Sequence, residues 1–205
     1  GAIVPRLHAE GCRSFFTATA REGAAVRSAL GERPAAIYVL HGYWEAERAL
    51  LGAAGLTPVL NTPEQISAWR RDAEGAPCAL HLDTGMNRLG LSAEDARALL
   101  NTGGGLTDLG CTLVMSHLAC ADDPDAEMNS RQRAAFVSLT AGLRDVRLSL
   151  ANTGGVLLGE AFAFDLVRPG IGLYGGDPAG RSPGRFEPVV RVEAPILQTR
   201  TLSPG

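Results

Sequence analysis

Short apolar runs alternate with longer stretches in which apolar residues recur every three or four positions, and this rhythm holds for about 170 residues. The short runs occupy residues 15–18 (FFTA), 36–40 (AIYVL), 58–61 (PVLN), 78–83 (CALHLD), 113–118 (LVMSHL), 146–152 (VRLSLAN) and 165–168 (DLVR). They are nearly continuous in hydrophobicity, as strands buried on both faces of a parallel sheet must be. The intervening segments 20–30 (AREGAAVRSAL), 63–73 (PEQISAWRRDA) and 92–100 (SAEDARALL) carry the helical spacing. The second opens on Asn61-Thr62-Pro63-Glu64, a cap followed by proline in the first turn. The third opens on Ser92 with Asp95 three positions later, close to a capping box.

Strand and helix in strict alternation predict right-handed βα units. Seven strand-like runs fall one short of the eight that close a barrel, and a first strand just before Gly1 would complete the count. The expected fold is therefore α/β: a (β/α)8 TIM-type barrel missing its first strand. A doubly wound open sheet is the other possibility, but no G-x-G-x-x-G follows the early strands. Residues 1–174 are read as the barrel, incomplete at its N-terminus. Residues 175–185 (GGDPAGRSPGR) read as a linker. Residues 186–202 (FEPVVRVEAPILQTRTL) alternate like one or two antiparallel strands, so 186–205 is read as the start of a β-rich C-terminal domain.

Composition narrows the function classes. With 205 residues, 45% hydrophobic and 20% charged, the chain is an ordinary globular one. No run approaches the roughly 18 apolar residues of a membrane span, and the start lacks a secretory signal. A net charge of −3 without a basic stripe disfavours nucleic acid. Cys12, Cys78, Cys111 and Cys120 form no C-x-x-C pair, so reduced thiols in a cytoplasmic protein are expected, and no metal site. All 19 basic residues are arginine. Arginine is not deprotonated at ordinary pH, so chemistry needing a Schiff base must take its amine from elsewhere.

Candidate chemistry clusters at strand ends. Asn152-Thr153-Gly154-Gly155 and Gly170-Ile171-Gly172 follow the sixth and seventh runs, where barrels with one more strand in front hold phosphate. Spacing alone leaves NTGG equally open to being a plain turn. Asp83-Thr84-Gly85-Met86-Asn87-Arg88 closes another strand. Arg88 over the barrel mouth could clamp a carboxylate, although a surface ion pair is the commoner fate of such a residue. His117 ends an apolar run, where a satisfied core histidine is the commoner reading. Arg168, so near the core, needs a partner: an acid, a histidine or a cofactor nitrogen. His8, His41 and His81 show no comparable setting.

Taken together, DTGMNRLG at 83–90, SHLACADD at 116–123, SLANTGG at 149–155 and DLVRPGIGLYGG at 165–176 resemble the alanine racemase family. Gly1-Ala2 looks like the end of that family's K-A-x-A-Y-G-x-G-A segment, whose Schiff-base lysine would lie upstream. The resemblance implies a pyridoxal 5'-phosphate barrel that interconverts L- and D-alanine through an aldimine and supplies D-alanine for peptidoglycan. It also implies a homodimer with a shared active site. Arg168 would face the pyridine nitrogen and His117 would hydrogen-bond Arg168. Asn152, Thr153, Gly170 and Ile171 would hold the phosphate, Leu40 would line the ring, and Arg88 would contact the phenolic oxygen and the substrate carboxylate. Thr153 stands where serine is usual, and His81 stands where many members carry a carbamylated lysine. The second base, a tyrosine from the partner's β domain, is matched by none of Tyr38, Tyr43 and Tyr174, so this chain alone is expected to be inactive. A non-racemising carrier of the same cofactor, and a decarboxylase or aldolase on a related barrel, are the rival readings.

Overall fold

The computed structural model describes residues 2–73, 75–101, 106–181 and 184–202. Gly1, part of the linker reading (182–183) and residues 203–205 lie outside the described residues. Six parallel strands stand side by side in chain order: β1 Ser14–Thr17, β2 Ala36–Val39, β3 Thr57–Leu60, β4 Cys78–His81, β5 Cys111–Met115 and β6 Arg147–Ser149. Each strand overlaps one of the first six apolar runs. Between them lie α2 Ala20–Leu30, α3 Arg48–Ala53, α4 Pro63–Asp72, α5 Ala93–Leu100 and α6 Glu127–Thr140, with α1 Ile3–Ala9 before β1 and α7 Thr153–Leu157 after β6.

Local chemistry sets the helix starts. The Thr62 side chain accepts from the Gln65 amide with Pro63 in the first turn, so Thr62 caps α4. Ser92 accepts from the Asp95 amide at α5. A full capping box joins Thr19 and Glu22 at α2. Caps of this kind are each worth about 1 kcal/mol. No helix among the described residues is long and apolar enough to cross a membrane.

Side chains alternate across the sheet, and the two faces make two apolar clusters. Phe15, Ile37, Val39, Leu60, Leu80 and Val114 pack beneath the helices. Phe16, Tyr38, Leu40, Val59, Ala79, Leu113, Met115 and Leu166 fill the concave side. The sheet curls far enough for its ends to meet across that interior. The Tyr38 hydroxyl of β2 takes a 2.6 Å hydrogen bond from Arg147 of β6, and Arg168, beyond β6, lies over the Phe16 ring of β1. Stepping two residues on from Val59, Ala79, Met115 and Leu166 along the same face reaches Asn61, His81, His117 and Arg168 at the carboxyl ends.

The structure departs from the pattern at two places. Residues 165–168 do not form a full seventh strand; a single parallel bridge joins Asn152 to Arg168. Elsewhere the Asp165 amide donates to the Leu148 carbonyl at 3.0 Å, and side chains add to this: the Asp165 carboxylate accepts from the Leu148 amide at 2.8 Å, and the Ser149 hydroxyl donates to the Leu166 carbonyl at 2.5 Å. Residues 186–202 form no strand either. Their backbone joins the rest of the described chain through one bond, Val189 N–H to the Tyr174 carbonyl. An extended segment becomes a strand only when a neighbour pairs with its amides, and alternation in sequence does not supply that neighbour.

Candidate functional site

At the carboxyl ends of the strands two cavities adjoin. One of about 550 Å³ is lined by Phe16, Leu40, His41, His81, Arg88, Met115, His117 and Arg168, among others. The other, about 450 Å³, is bordered by Met86, His117, Asn152, Thr153, Gly154, Arg168, Gly170 and Ile171. His117 and Arg168 belong to both, and all eight site residues read from the sequence line this pair of adjoining cavities.

Arg168 stands at the seam. Its guanidinium donates to the Ser149 hydroxyl, to the Ser116 carbonyl at 2.5 Å and to the Leu150 carbonyl at 3.1 Å. Every one of these acceptors is neutral, and Arg168 makes no ion pair among the described residues. Burial lowers its pKa to about 10, so it still carries its proton at neutral pH. A charge held this way in a poorly solvated place is stabilised by the next electron-rich atom to arrive.

The expected hydrogen bond from His117 to Arg168 is not made. Ser149 and two backbone carbonyls occupy the guanidinium instead, and the His117 ring takes no hydrogen bond among the described residues. Its backbone is held firmly all the same. The Gln132 amide of α6 donates to the His117 carbonyl at 2.9 Å and to Thr84 Oγ1 at 3.3 Å, and accepts from the Ala119 amide at 2.8 Å. Burial, with the charges of Arg168 and Arg88, lowers the His117 pKa to about 4. His117 is thus a neutral wall between the cavities.

The Thr153 hydroxyl accepts from the amides of Gly170 and Gly172 at 3.1 and 3.2 Å, which fastens the two glycine loops together. Its own proton remains free to be donated. Asn152 caps α7 by accepting from the Gly155 amide at 2.9 Å. Gly154 has no room for a larger residue, because a Cβ there would lie 2.4 Å from the Ala121 carbonyl oxygen. Ile171, more than half exposed, opens the short turn Ile171–Tyr174 at the cavity rim.

Arg88 hangs from a loop organised by Asp83, whose carboxylate accepts from the amides of Gly85, Met86 and Asn87. Asn87 takes a left-handed conformation (φ 55°) that turns the chain toward the cavity. The Arg88 side chain is exposed, and among the described residues it makes no hydrogen bond or ion pair. The surface ion pair open to it is therefore not formed.

Sequence reading passed over Ser149 and Ser116, which carry Arg168, and Asn61, whose amide holds the His81 ring at 2.9 Å. His41 and Phe16 also line the larger cavity. Alternation was the available signal: Asn61 and His81 lie two residues beyond buried interior positions on their strands. None of Tyr38, Tyr43 and Tyr174 borders either cavity; Tyr43 instead bonds Asp72 at 2.8 Å in a separate cleft.

A curled parallel sheet with a recess at the carboxyl ends of its strands, glycine loops on one side and a desolvated arginine at the centre defines an α/β-barrel binding domain. Residues 1–178 match the family model described as alanine racemase, N-terminal domain, and the chain belongs to that family. It is 45% identical over 205 residues to the alanine racemase of Dinoroseobacter shibae, covering 100% of this chain and 56% of that protein. It is 46% identical over 203 residues to that of Cereibacter sphaeroides, covering 99% of this chain and 56% of the relative. The chain thus spans about half the length of the curated relatives it matches. Among solved structures, an alanine racemase from Bartonella henselae with covalently bound pyridoxal phosphate superposes with a TM-score of 0.83 at 34% identity, over 91% of this chain and 55% of that one. A biosynthetic alanine racemase from Pseudomonas aeruginosa gives 0.73 at 31% identity, over 88% and 50%.

Proposed function

We propose that the protein to which this chain belongs is a pyridoxal phosphate-dependent alanine racemase, interconverting L- and D-alanine and supplying D-alanine for peptidoglycan from the cytoplasm. The observation that carries the reading is Arg168: a guanidinium with neutral neighbours only, at the seam between a ring-sized cavity and two glycine loops. The residues fit the cofactor. Donors gather on the glycine-loop side, apolar Leu40 and Met115 line the larger cavity, and Arg88 makes no hydrogen bond or ion pair among the described residues.

When bound, the cofactor acidifies the α-proton of an amino acid by delocalising the charge that proton leaves behind. The chain's residues shape how that happens. Thr153, Asn152 and the amides around Gly170 and Ile171 hold the phosphate. Arg168 donates to the pyridine nitrogen and, with a pKa of about 10, keeps its own proton. A permanently protonated donor at Arg168 would leave a bound pyridine nitrogen unprotonated, which would temper electron withdrawal and favour return of the proton over side reactions. Arg88 clamps the substrate carboxylate with its planar fork, while Leu40 packs on the ring and His117 excludes water as a neutral spacer.

Racemisation needs one base on each face of the α-carbon. The chain contains no lysine, so it supplies no amine for a Schiff base, and its tyrosines stand away from the recess. In the full-length protein the lysine would come from another segment of the same chain and the tyrosine from the neighbour in a homodimer, with 1–174 as barrel, 175–185 as linker and 186–205 opening a β-rich unit. The family model, which ends at residue 178, supports that division. The test is to assay the full-length protein and the 205-residue chain with L-alanine and pyridoxal phosphate. The full-length protein should form D-alanine without releasing carbon dioxide or aldehyde, and the chain alone should form none. Carbon dioxide or aldehyde from the full-length protein, or D-alanine from the chain, would overturn the proposal.

A further inference from the structure

Phe16 stands on β1 and lines the larger cavity, yet none of the roles proposed above uses it. Its ring makes two aromatic contacts of different kinds. Within the sheet it is the register partner of Tyr38 on β2, and the two rings stack with centroids 4.7 Å apart and planes 16° from parallel. Tyr38 is buried and its hydroxyl accepts from Arg147 at 2.6 Å, so it gives the Phe16 ring a fixed backing. The second contact is with Arg168, whose guanidinium carbon lies over the Phe16 ring, 5.8 Å from its centroid. All three hydrogen bonds of that guanidinium leave from Nη1 and Nη2. Its Nε–H makes no bond among the described residues and is not sealed from solvent, so this donor is left to meet a ligand.

We propose that Phe16 is a positioning residue for Arg168: its ring face stands in for the missing counter-charge and holds the guanidinium with Nε–H free for the pyridine nitrogen. The inference rests on the proposed role of Arg168 toward that nitrogen. An aromatic face attracts a cation through its quadrupole, most strongly where water is scarce. Burial lowers the Arg168 pKa to about 10, a sign of how little solvent steadies its charge. A carboxylate in the place of Phe16 would neutralise that charge and take up the free N–H. A phenyl ring attracts the cation without accepting Nε–H, so the donor stays available. The hydrogen bonds hold two corners of the guanidinium, and the ring opposes rotation about the line that joins them.

The test measures Kd by calorimetry on the full-length protein freed of cofactor, with two probes. One is pyridoxal 5'-phosphate; the other is its 1-deaza analogue, in which C–H replaces the ring nitrogen. Three side chains at position 16 are compared: phenylalanine, 3,4,5-trifluorophenylalanine and, in Phe16→Leu, leucine. Fluorination keeps the ring close to its shape but cancels its negative face, so it carries the test even if Phe16→Leu fails to fold. The parent should bind pyridoxal phosphate about tenfold or more tighter than the deaza probe. Both replacements should weaken pyridoxal phosphate about threefold to tenfold and leave the deaza probe within about twofold. Equal weakening of the two probes would overturn the proposal, because Phe16 would then pack on the cofactor itself rather than act through Arg168. So would a fluorinated protein that binds pyridoxal phosphate as tightly as the parent. A parent that does not distinguish the probes would remove the role of Arg168, and this inference with it. Preference for pyridoxal phosphate kept at parental strength in both replacements would remove the role of Phe16 alone.

Discussion

The guanidinium carbon of Arg168 lies 5.8 Å from the centroid of the Phe16 ring, joining a residue beyond the last strand to one on the first. The contact helps close the curled sheet and leaves the arginine without a counter-charge. Arg168→Met should therefore separate folding from function. Removing an uncompensated buried charge offsets the loss of three hydrogen bonds and the ring contact, so stability should change by less than about 1 kcal/mol. Racemisation by the full-length protein should fall about 100-fold or more, because the charged donor proposed to face the ring nitrogen is gone. Urea denaturation and a D-alanine assay measure the two. A stability loss above about 3 kcal/mol would make Arg168 a structural keystone instead.

Thr153 ties the Gly170 and Gly172 amides together. Thr153→Ser keeps the hydroxyl and should bind pyridoxal phosphate within about threefold of the parent. Thr153→Val keeps the shape, strands two amides and removes a donor, so it should weaken cofactor affinity about tenfold or more. Equal affinity for all three would show that the hydroxyl does not contact the phosphate.

How far sequence alone could go depended on whether local chemistry or distant contacts decided the outcome. The six strands were legible because burial on both faces makes a run continuously apolar, and α4 and α5 announced themselves through Thr62, Pro63 and Ser92. The longest helix, α6, gave no such signal: its inward face carries Asn129 and Gln132, both buried, which hides the apolar stripe. Those same polar residues serve the site, Gln132 by pinning His117 and Thr84. Arg168, Thr153 and Arg88 were legible as strand-end residues. The support of Arg168 was not, because Ser149 and Ser116 are ordinary serines until the curl brings them beneath a guanidinium. The assignment of that support to His117 failed for the same reason: adjacency at one seam does not say which group reaches which.

The two glycine loops should respond differently to added bulk. A Cβ on Gly154 would lie 2.4 Å from the Ala121 carbonyl oxygen, a contact that backbone must shift to relieve. Gly154→Ala should cost about 2–4 kcal/mol and lower Tm by several degrees. Gly170 has φ −106° and no atom within 4 Å of the corresponding Cβ, so Gly170→Ala should fold like the parent. Thermal melts of the pair settle it; equal Tm values would mean that the Ala121 loop yields freely.

Stability should fall with acid through a window set by two histidines. Burial holds His81 and His117 neutral in the folded chain, with pKa values lowered to about 4, whereas an unfolded chain titrates them near 6.5. Above about pH 6.5 neither state binds these protons and stability is level on their account. Between there and about pH 4 the unfolded chain takes up protons that the folded one refuses, so each histidine removes up to about 1.4 kcal/mol per pH unit. Below that both states are protonated and the loss levels off. Urea midpoints measured from pH 8 to pH 5 should decline, and His81→Gln and His117→Gln should each flatten the slope by about one proton's worth. The carboxylates are common to parent and variants, so the difference between slopes reports on the substituted histidine. Variants whose midpoints fall with pH as steeply as the parent's would mean that these rings are already charged in the folded protein.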